Sequence, residues 1–137
     1  VWMERAYAPF ALEGYARNVV AYRCIETIAD GIAQIAWRAQ RVRRDGKRTD
    51  VAQHAALSLL NRPNPFQGGA ELLHQLVAQL LIGGNAYLHA AGPQGNIPQE
   101  LYALRPDRVQ IIAGPRGQPA GYRYQLGNQA TDHPVDR

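Results

Sequence analysis

The chain has 137 residues, of which 46% are hydrophobic and 19% charged, a composition typical of one globular domain and unlike a disordered tail. No stretch approaches the roughly eighteen unbroken apolar residues of a transmembrane helix, and no secretory signal is visible. Cys24 is the only cysteine, which excludes an internal disulfide and a zinc site built on several cysteines. The start at Val1 rather than Met and the polar C-terminal stretch favour the interpretation that the chain is a piece of a longer protein.

The positive charge is carried almost entirely by arginine. The net charge is +4, and Lys47 is the only lysine among 15 basic residues. The planar guanidinium suits contacts with carboxylates, phosphates and neighbouring subunits, although a GC-rich genome gives the same bias without a functional cause. The charge therefore permits nucleic-acid contact without requiring it.

The chain opens with an arm and a long helix. Residues 1–14 have no clear period and are interpreted as an arm that packs on the next element or on a neighbouring subunit. Residues 15–36 have the period of an amphipathic helix, and Gly31 inside it predicts a close packing partner. The face predicted to be buried contains Tyr22, Cys24, Ile25, Ile28, Ala29, Ile32, Ile35 and Ala36. The opposite polar stripe contains Arg23, Glu26, Thr27, Asp30 and Gln34.

A basic hairpin and a short helix come next. Residues 36–50 alternate like strands around Asp45-Gly46, a dipeptide typical of tight hairpin turns. Residues 51–61 have a helical pattern, with Asp50 as the predicted N-cap. Arg62-Pro63 ends this helix, because the residue before a proline is pushed out of the helical region.

The clearest helix covers residues 69–82, and Gly83-Gly84 supplies its left-handed C-terminal stop. We expect Glu71, Gln75 and Gln79 to face solvent. The predicted buried face contains Leu72, Leu73, Leu76, Val77, Leu80 and Leu81.

The remainder of the chain predicts strands joined by turns every eight to twelve residues, which is typical of an antiparallel meander. Helices followed by strands define an α+β fold for a single domain. Residues 127–137 are interpreted as a polar tail. The predicted strands cover residues 85–91, 100–104, 109–113 and 121–126.

The sequence offers little material for catalysis. Ser58 is the only serine and lies within a predicted helix, and Cys24 is interpreted as a small buried hydrophobic residue. No metal-binding spacing occurs among the histidines, and Gly83-Gly84 lacks the Lys-Ser or Lys-Thr of a phosphate loop. We therefore predict no enzyme, no catalytic or metal-ligating residue and no cofactor. The four histidines are His54, His74, His89 and His133.

One basic patch stands out as a candidate DNA or subunit-interface site. It could contact phosphates or an acidic neighbour. Its charges could equally be those of a solvated hairpin edge protected against strand pairing. The patch contains Arg38, Arg41, Arg43, Arg44, Lys47 and Arg48.

A set of short motifs, in this order and spacing, resembles the phage portal proteins of the HK97 family. The first is Asn-x-x-x-Tyr-x-Cys-Ile-x-x-Ile-Ala at residues 18–29, and the basic Arg-Asp-Gly-Lys turn follows at 44–47. The helix end Leu-Leu-x-x-Pro-Asn-Pro covers 59–65, and Gly-Asn-Ala-Tyr covers 84–87. Leu-x-x-Leu-x-Pro-x-x-Val at 101–109 and Tyr-x-Tyr at 122–124 complete the set. The structural signature within these motifs consists of Pro63, Asn64, Pro65, Gly84, Asn85 and Tyr87.

The resemblance implies part of the outer wing of a ring of identical subunits, usually twelve in the family. Double-stranded DNA passes through such a ring into and out of the capsid at one vertex of a phage or prophage head. The implied partners are further copies of the subunit, the large terminase subunit, head–tail connector proteins and capsid proteins, with no membrane. The implied location is the virion portal vertex, after assembly in the bacterial host cytoplasm.

Two other hypotheses remain open on the sequence. One is a free-standing nucleic-acid-binding module that uses the basic hairpin at residues 38–48. The other is a fragment of an enzyme whose catalytic residues lie further along the parent chain.

Overall fold

In the computed structural model, which describes residues 7–93, 97–115 and 117–135, four helical segments and seven strands make up a mixed fold. The predicted α+β fold is therefore confirmed. The elements are α1 (the turn Tyr7–Pro9 continued by the π-helix Phe10–Ala16), α2 (Val19–Ala33), β1 (Ala39–Val42), β2 (Arg48–Val51), α3 (Ala55–Asn61), α4 (Gly69–Gly83), β3 (Tyr87–Ala91), β4 (Glu100–Leu104), β5 (Val109–Ala113), β6 (Pro119–Leu126) and β7 (Gln129–Pro134).

Helix α1 occupies most of the segment predicted as an arm without a period; residues 1–6 of that arm lie outside the described residues. A π-helix repeats its bonds at five residues rather than four, so its pattern does not match a 3.6-residue period. Tyr7 lies against the end of α4: a Cβ added to Gly83 would stand 2.6 Å from Tyr7 Cδ2. Burial, followed by the nearby Asp107 carboxylate, raises the pKa of Tyr7.

Helix α2 is shorter than the predicted 15–36. It starts later than predicted because Asn18 caps it. The Asn18 side chain accepts hydrogen bonds from the amides of Val20 and Ala21, which satisfies two donors of the first turn. The helix ends at Ala33, and the amide of Gln34 donates to the carbonyl of Asp30. The Asn18 cap therefore fixes the boundary between α1 and α2.

Helix α2 packs against α4, with Ala29 fully buried and Leu72 almost so. Glu26, predicted to face solvent, is half-buried. Its Oε1 accepts a hydrogen bond from the Tyr15 hydroxyl at 2.7 Å, and its Oε2 lies 3.6 Å from His74 Nε2. A carboxylate on the edge of the apolar face thus joins α2 to both neighbouring helices.

The buried face of α2 is narrower than the sequence pattern predicts. Within the segment predicted as one helix, five residues assigned to the buried face are exposed, so those assignments are wrong. Cys24 and Ile28 lie on the side of α2 turned away from Ala29; Ile35 and Ala36 lie beyond the end of the helix; and Tyr22 lies near its start, where its ring is 5.0 Å from that of Tyr15. These residues are Tyr22, Cys24, Ile28, Ile35 and Ala36.

Strands β1 and β2 form the predicted antiparallel hairpin, with Gln40 opposite Asp50. Gly46 turns the chain with a φ of 79°, and Asp45 Oδ1 accepts from the Lys47 amide. Because Asp50 belongs to β2, the prediction that it caps α3 is wrong. His54 takes that role, and its Nδ1 accepts from the backbone amide two residues ahead at 3.2 Å.

Helix α4 covers Gly69–Gly83 and stops at Gly84, whose φ of 74° is the left-handed conformation predicted there. Its start lies so close to α3 that a Cβ at Gly69 would overlap the carbonyl oxygen of Leu60. The predicted inward and outward faces are partly wrong. Gln79 is buried, whereas Leu80 and Leu81 are partly exposed.

The predicted antiparallel strands of the second half are divided between two small sheets. Strand β3 pairs with β4, and β6 lies between β5 and β7. The turn Pro106–Arg108 separates the two sheets along the chain. The predicted polar tail is wrong, because Gly127 permits a tight turn with a φ of 59° and β7 then pairs along β6.

A buried corner joins the helices to the first of these sheets. Pro63 is fully buried and Asn64 is 4% exposed. The Leu101 amide of β4 donates to the Pro63 carbonyl at 2.7 Å, and Asn64 Nδ2 donates to the Leu101 carbonyl at 2.9 Å. Asn64 Oδ1 accepts from the amides of Phe66 and Gln67, so one side chain holds both the turn and the strand.

We expect Asn64→Ala to destabilise the protein by about 2–4 kcal/mol, because the substitution leaves a buried carbonyl and two part-buried amides without the partner that Asn64 provides. Phe66→Ala is the matched control: Phe66 is 86% exposed, and the change should stay within about 0.5 kcal/mol. Urea unfolding of both variants measures the difference. Equal stability of the two variants would show that the corner does not depend on the Asn64 side chain.

Candidate assembly surfaces and an aromatic cavity

The basic hairpin is solvent-exposed along its length, from Arg41 to Asp50. The structure brings the sequence-predicted patch onto one hairpin but not onto one face. Neighbouring strand residues point to opposite faces, and Arg41 pairs with Thr49, so Arg41 and Arg48 lie on different sides. The other basic residues surround the turn at the tip or precede β1; they are Arg43, Arg44 and Lys47 at the tip and exposed Arg38 before the strand.

The two acidic residues of the hairpin accept hydrogen bonds from other residues of the hairpin. Asp50 accepts a hydrogen bond from Gln40 Nε2 at 2.8 Å, and Asp45 accepts the Lys47 amide. In the part of the chain that the structure describes, none of the basic side chains of the hairpin forms an ion pair. The arrangement therefore offers several unneutralised cations to a partner molecule.

The structural signature residues take different positions. Pro63 and Asn64 lie in the buried corner, while Pro65 is exposed. Gly84 ends α4. Asn85 is exposed between α4 and β3, and its side chain makes no hydrogen bond to any residue that the structure describes.

Tyr87 belongs to an aromatic cluster that joins the two sheets. Its ring lies 6.1 Å from that of Tyr122, edge to face, and the rings of His89 and His133 lie 5.0 Å apart. Tyr122 and His133 are opposite each other on β6 and β7, and Tyr87 and His89 are two apart on β3. Each sheet therefore contributes one tyrosine and one histidine.

Beside this cluster lies an open cavity of about 260 Å³, lined also by Tyr124, Leu104 and Val109. Burial, followed by repulsion from His133, lowers the pKa of His89, so that its imidazole is neutral at pH 7. Burial, followed by the neighbouring Tyr122, raises the pKa of Tyr87. Both shifts have burial as their main cause, as expected where two sheets meet and exclude part of the solvent.

Sequence reasoning missed this cluster. The Tyr-x-His spacing on β3 is visible in the sequence, and alternate residues of a strand share a face. The pairing of β6 with β7 is not visible in the sequence, because the polar composition of residues 127–137 leads to their interpretation as a tail. Only the sheet topology brings His133 to His89.

The cavity holds no serine or cysteine nucleophile. Ser58 lies on α3 and Cys24 is exposed on α2. The described residues contain no group of three or more His, Cys, Asp or Glu placed to hold a metal ion. Within the same residues no helix is both long and apolar enough to cross a membrane.

The chain leaves an unusually large surface uncovered. Its accessible surface is 10952 Å², whereas a compact monomer of 15.2 kDa exposes about 7,100 Å². Only Ala29, Leu72 and Leu101 are buried hydrophobic residues in the described part. This surface is available for contact with further segments of the protein or with partner molecules.

Residues 19–137 match the phage portal protein family, so the chain belongs to that family. Among curated proteins it is 29% identical to an uncharacterized protein of Rickettsia bellii over 114 residues, which cover 83% of the chain and 28% of that protein. It is also 29% identical to an uncharacterized protein of Rickettsia felis, covering 91% of the chain and 31% of that protein. The chain thus spans about a third of the length of these relatives.

Solved structures agree with the family match. The chain is 34% identical to a chain in the neck of an empty GTA particle computed with C6 symmetry, with a TM-score of 0.79 over 98% of this chain and 34% of that one. A chain in the virion of a native gene transfer agent (GTA) particle has a TM-score of 0.76 at 34% identity, covering 98% and 33%. A chain in the neck of a native GTA particle computed with C12 symmetry has a TM-score of 0.77 at 34% identity, with the same coverage.

We expect stability to fall as the pH is lowered through about 6.5 toward the depressed pKa of His89. The unfolded chain then binds a proton that the folded chain resists, and folded-state stability is lost between these two pKa values. Unfolding free energies of wild type and His89→Gln, measured between about pH 7.5 and 5, test this. The variant should have the shallower dependence, and identical slopes would contradict the assignment to His89.

Proposed function

We propose that this chain is the outer wing part of a portal ring subunit, through which double-stranded DNA enters and leaves the capsid. The observation that carries the proposal is the family match over residues 19–137, together with 34% identity to chains in particle necks of C6 and C12 symmetry. The uncovered surface is compatible with this role, because both further segments of the subunit and its neighbours in a ring can cover it.

The proposed partners follow from this role. Further copies of the subunit form the ring, and double-stranded DNA occupies its channel. The large terminase subunit would bind during packaging, and head–tail connector and capsid proteins would bind at the same vertex. The proposed location is the portal vertex of a virion, prophage particle or gene transfer agent, after assembly in the host bacterial cytoplasm.

Negative-stain electron microscopy of the intact protein tests the proposal. We expect rings with a central channel, since each subunit carries surfaces that a monomer leaves open. Class averages calculated without imposed symmetry give the number of subunits. About twelve subunits are expected, because a related particle neck has C12 symmetry. Uniform monomers or dimers at micromolar concentration would contradict the ring.

The exposed hairpin supports a second candidate function, direct contact with DNA phosphates. Residues 41–50 contain five basic and two acidic residues, all exposed, and the two acids already accept hydrogen bonds within the hairpin. Such a cluster binds nucleic acid largely by releasing counterions from the phosphates. It would act either as an isolated module or as part of the ring.

Salt-titrated binding of the intact protein to duplex DNA separates this contact from a merely solvated hairpin. We expect the triple variant Arg41→Gln, Arg43→Gln, Arg44→Gln to reduce the slope of log affinity against log salt by about 2–3, because each arginine on a phosphate contributes roughly one to that slope. Arg17→Gln, at an exposed position between α1 and α2, is the control and should leave the slope unchanged. Equal slopes for wild type and both variants would exclude phosphate contact by the hairpin.

A further inference from the structure

Helix α2 has a second apolar face, opposite the one that packs on α4. Val20, Cys24 and Ile28 are exposed at four-residue steps, with Val20 at 74% and Ile28 at 47%. With 3.6 residues per turn, these three residues fall within an arc of about 100° that also includes Thr27 and Gly31. We call this arc the outer stripe; it contains no charged residue.

The C-terminal end of the outer stripe is open to close approach. Apart from the two chain neighbours and the backbone of the helix itself, no atom lies within 4 Å of the position that a Cβ on Gly31 would occupy. A glycine inside a helix costs up to about 1 kcal/mol relative to alanine, and nothing in the described chain packs there to offset it. Thr27 donates its hydroxyl to the Arg23 carbonyl at 2.7 Å, so this polar group is satisfied within the helix.

Contacts with α1 and α4 hold α2 in the rotation about its axis that leaves the outer stripe exposed. Ala29 is fully buried, Glu26 accepts the Tyr15 hydroxyl, and His74 Nε2 lies 3.4 Å from Asp30 Oδ1. Rotating α2 to bury Ile28 would break all of these contacts. The stripe therefore stays exposed until another segment covers it.

We propose that the outer stripe of α2 packs against a neighbouring copy of the same protein in the ring. This inference rests on the proposed function. A cyclic ring joins two different faces of each subunit, so each subunit needs a rigid surface of this kind for its neighbour. The stripe lacks the cations that DNA requires, and an apolar helix face that ends in a glycine fits a close protein contact.

The relatives with 34% identity lie in necks with C6 and C12 symmetry, where copies of a chain repeat around one axis. This repetition favours a second copy as the occupant of the outer stripe.

The test compares two aspartate variants of the intact protein by electron microscopy and mass photometry. Ile28→Asp should reduce the fraction of rings by at least about tenfold, because it places an unpaired carboxylate in an apolar contact. Arg23→Asp, on the charged side of the same helix, is the matched control and should leave the rings intact. Circular dichroism should show equal folding of both variants, since Ile28 and Arg23 are exposed in the single chain.

Photocrosslinking identifies the occupant. A benzophenone side chain replaces Ile28 in an equal mixture of light- and heavy-nitrogen-labelled subunits, and mass spectrometry then reads the crosslinked peptides. Peptide pairs of mixed label support a neighbouring copy, whereas pairs of a single label alone would assign the stripe to the same chain and overturn the inference. Rings unaffected by Ile28→Asp would also overturn it. Absence of rings in the wild type would instead overturn the proposed function, and the inference with it.

Discussion

The link between the Pro63-Asn64 corner and β4 is the contact on which the arrangement of helices and strands depends. The helical half and the first sheet meet where the Leu101 backbone exchanges hydrogen bonds with Pro63 and Asn64. A proline fixes the backbone direction at the corner, and the amide side chain reaches across a sequence gap of 37 residues. Few hydrophobic residues are buried in the part of the chain that the structure describes, so directional contacts of this kind contribute noticeably to the order of the fold.

Local signals in the sequence predict the elements well where the backbone conformation is set by nearby residues. Asp45-Gly46 marks the hairpin, and Gly84 marks the end of α4, because each position requires a glycine with positive φ. The role of Asn64 as a turn residue is predictable too, since its side chain accepts amides two and three residues ahead. Its bond to Leu101 is not, because no local pattern reports a contact 37 residues away.

The wrong predictions have physical causes as well. Periodicity cannot distinguish a helix face buried in the chain from one that awaits a partner, so it wrongly predicts Cys24 and Ile28 as buried. Gln79 shows the converse: it is buried among described residues that leave its Oε1 without a hydrogen-bond partner. The predicted tail forms β7 because pairing with β6 is a tertiary effect that polar composition does not report. Composition predicts the basic patch, but its division between two faces follows from the strand register.

The contact between Tyr7 and Gly83 has a consequence for how the family can vary. The Tyr7 ring occupies the space in which any side chain at position 83 would begin, so two positions far apart in sequence share one volume. A larger residue at position 83 requires either that the ring turns away or that a smaller residue replaces it. A chimera that combines a large aromatic residue at position 7 with a side chain at position 83 therefore inherits a steric conflict at the end of α4.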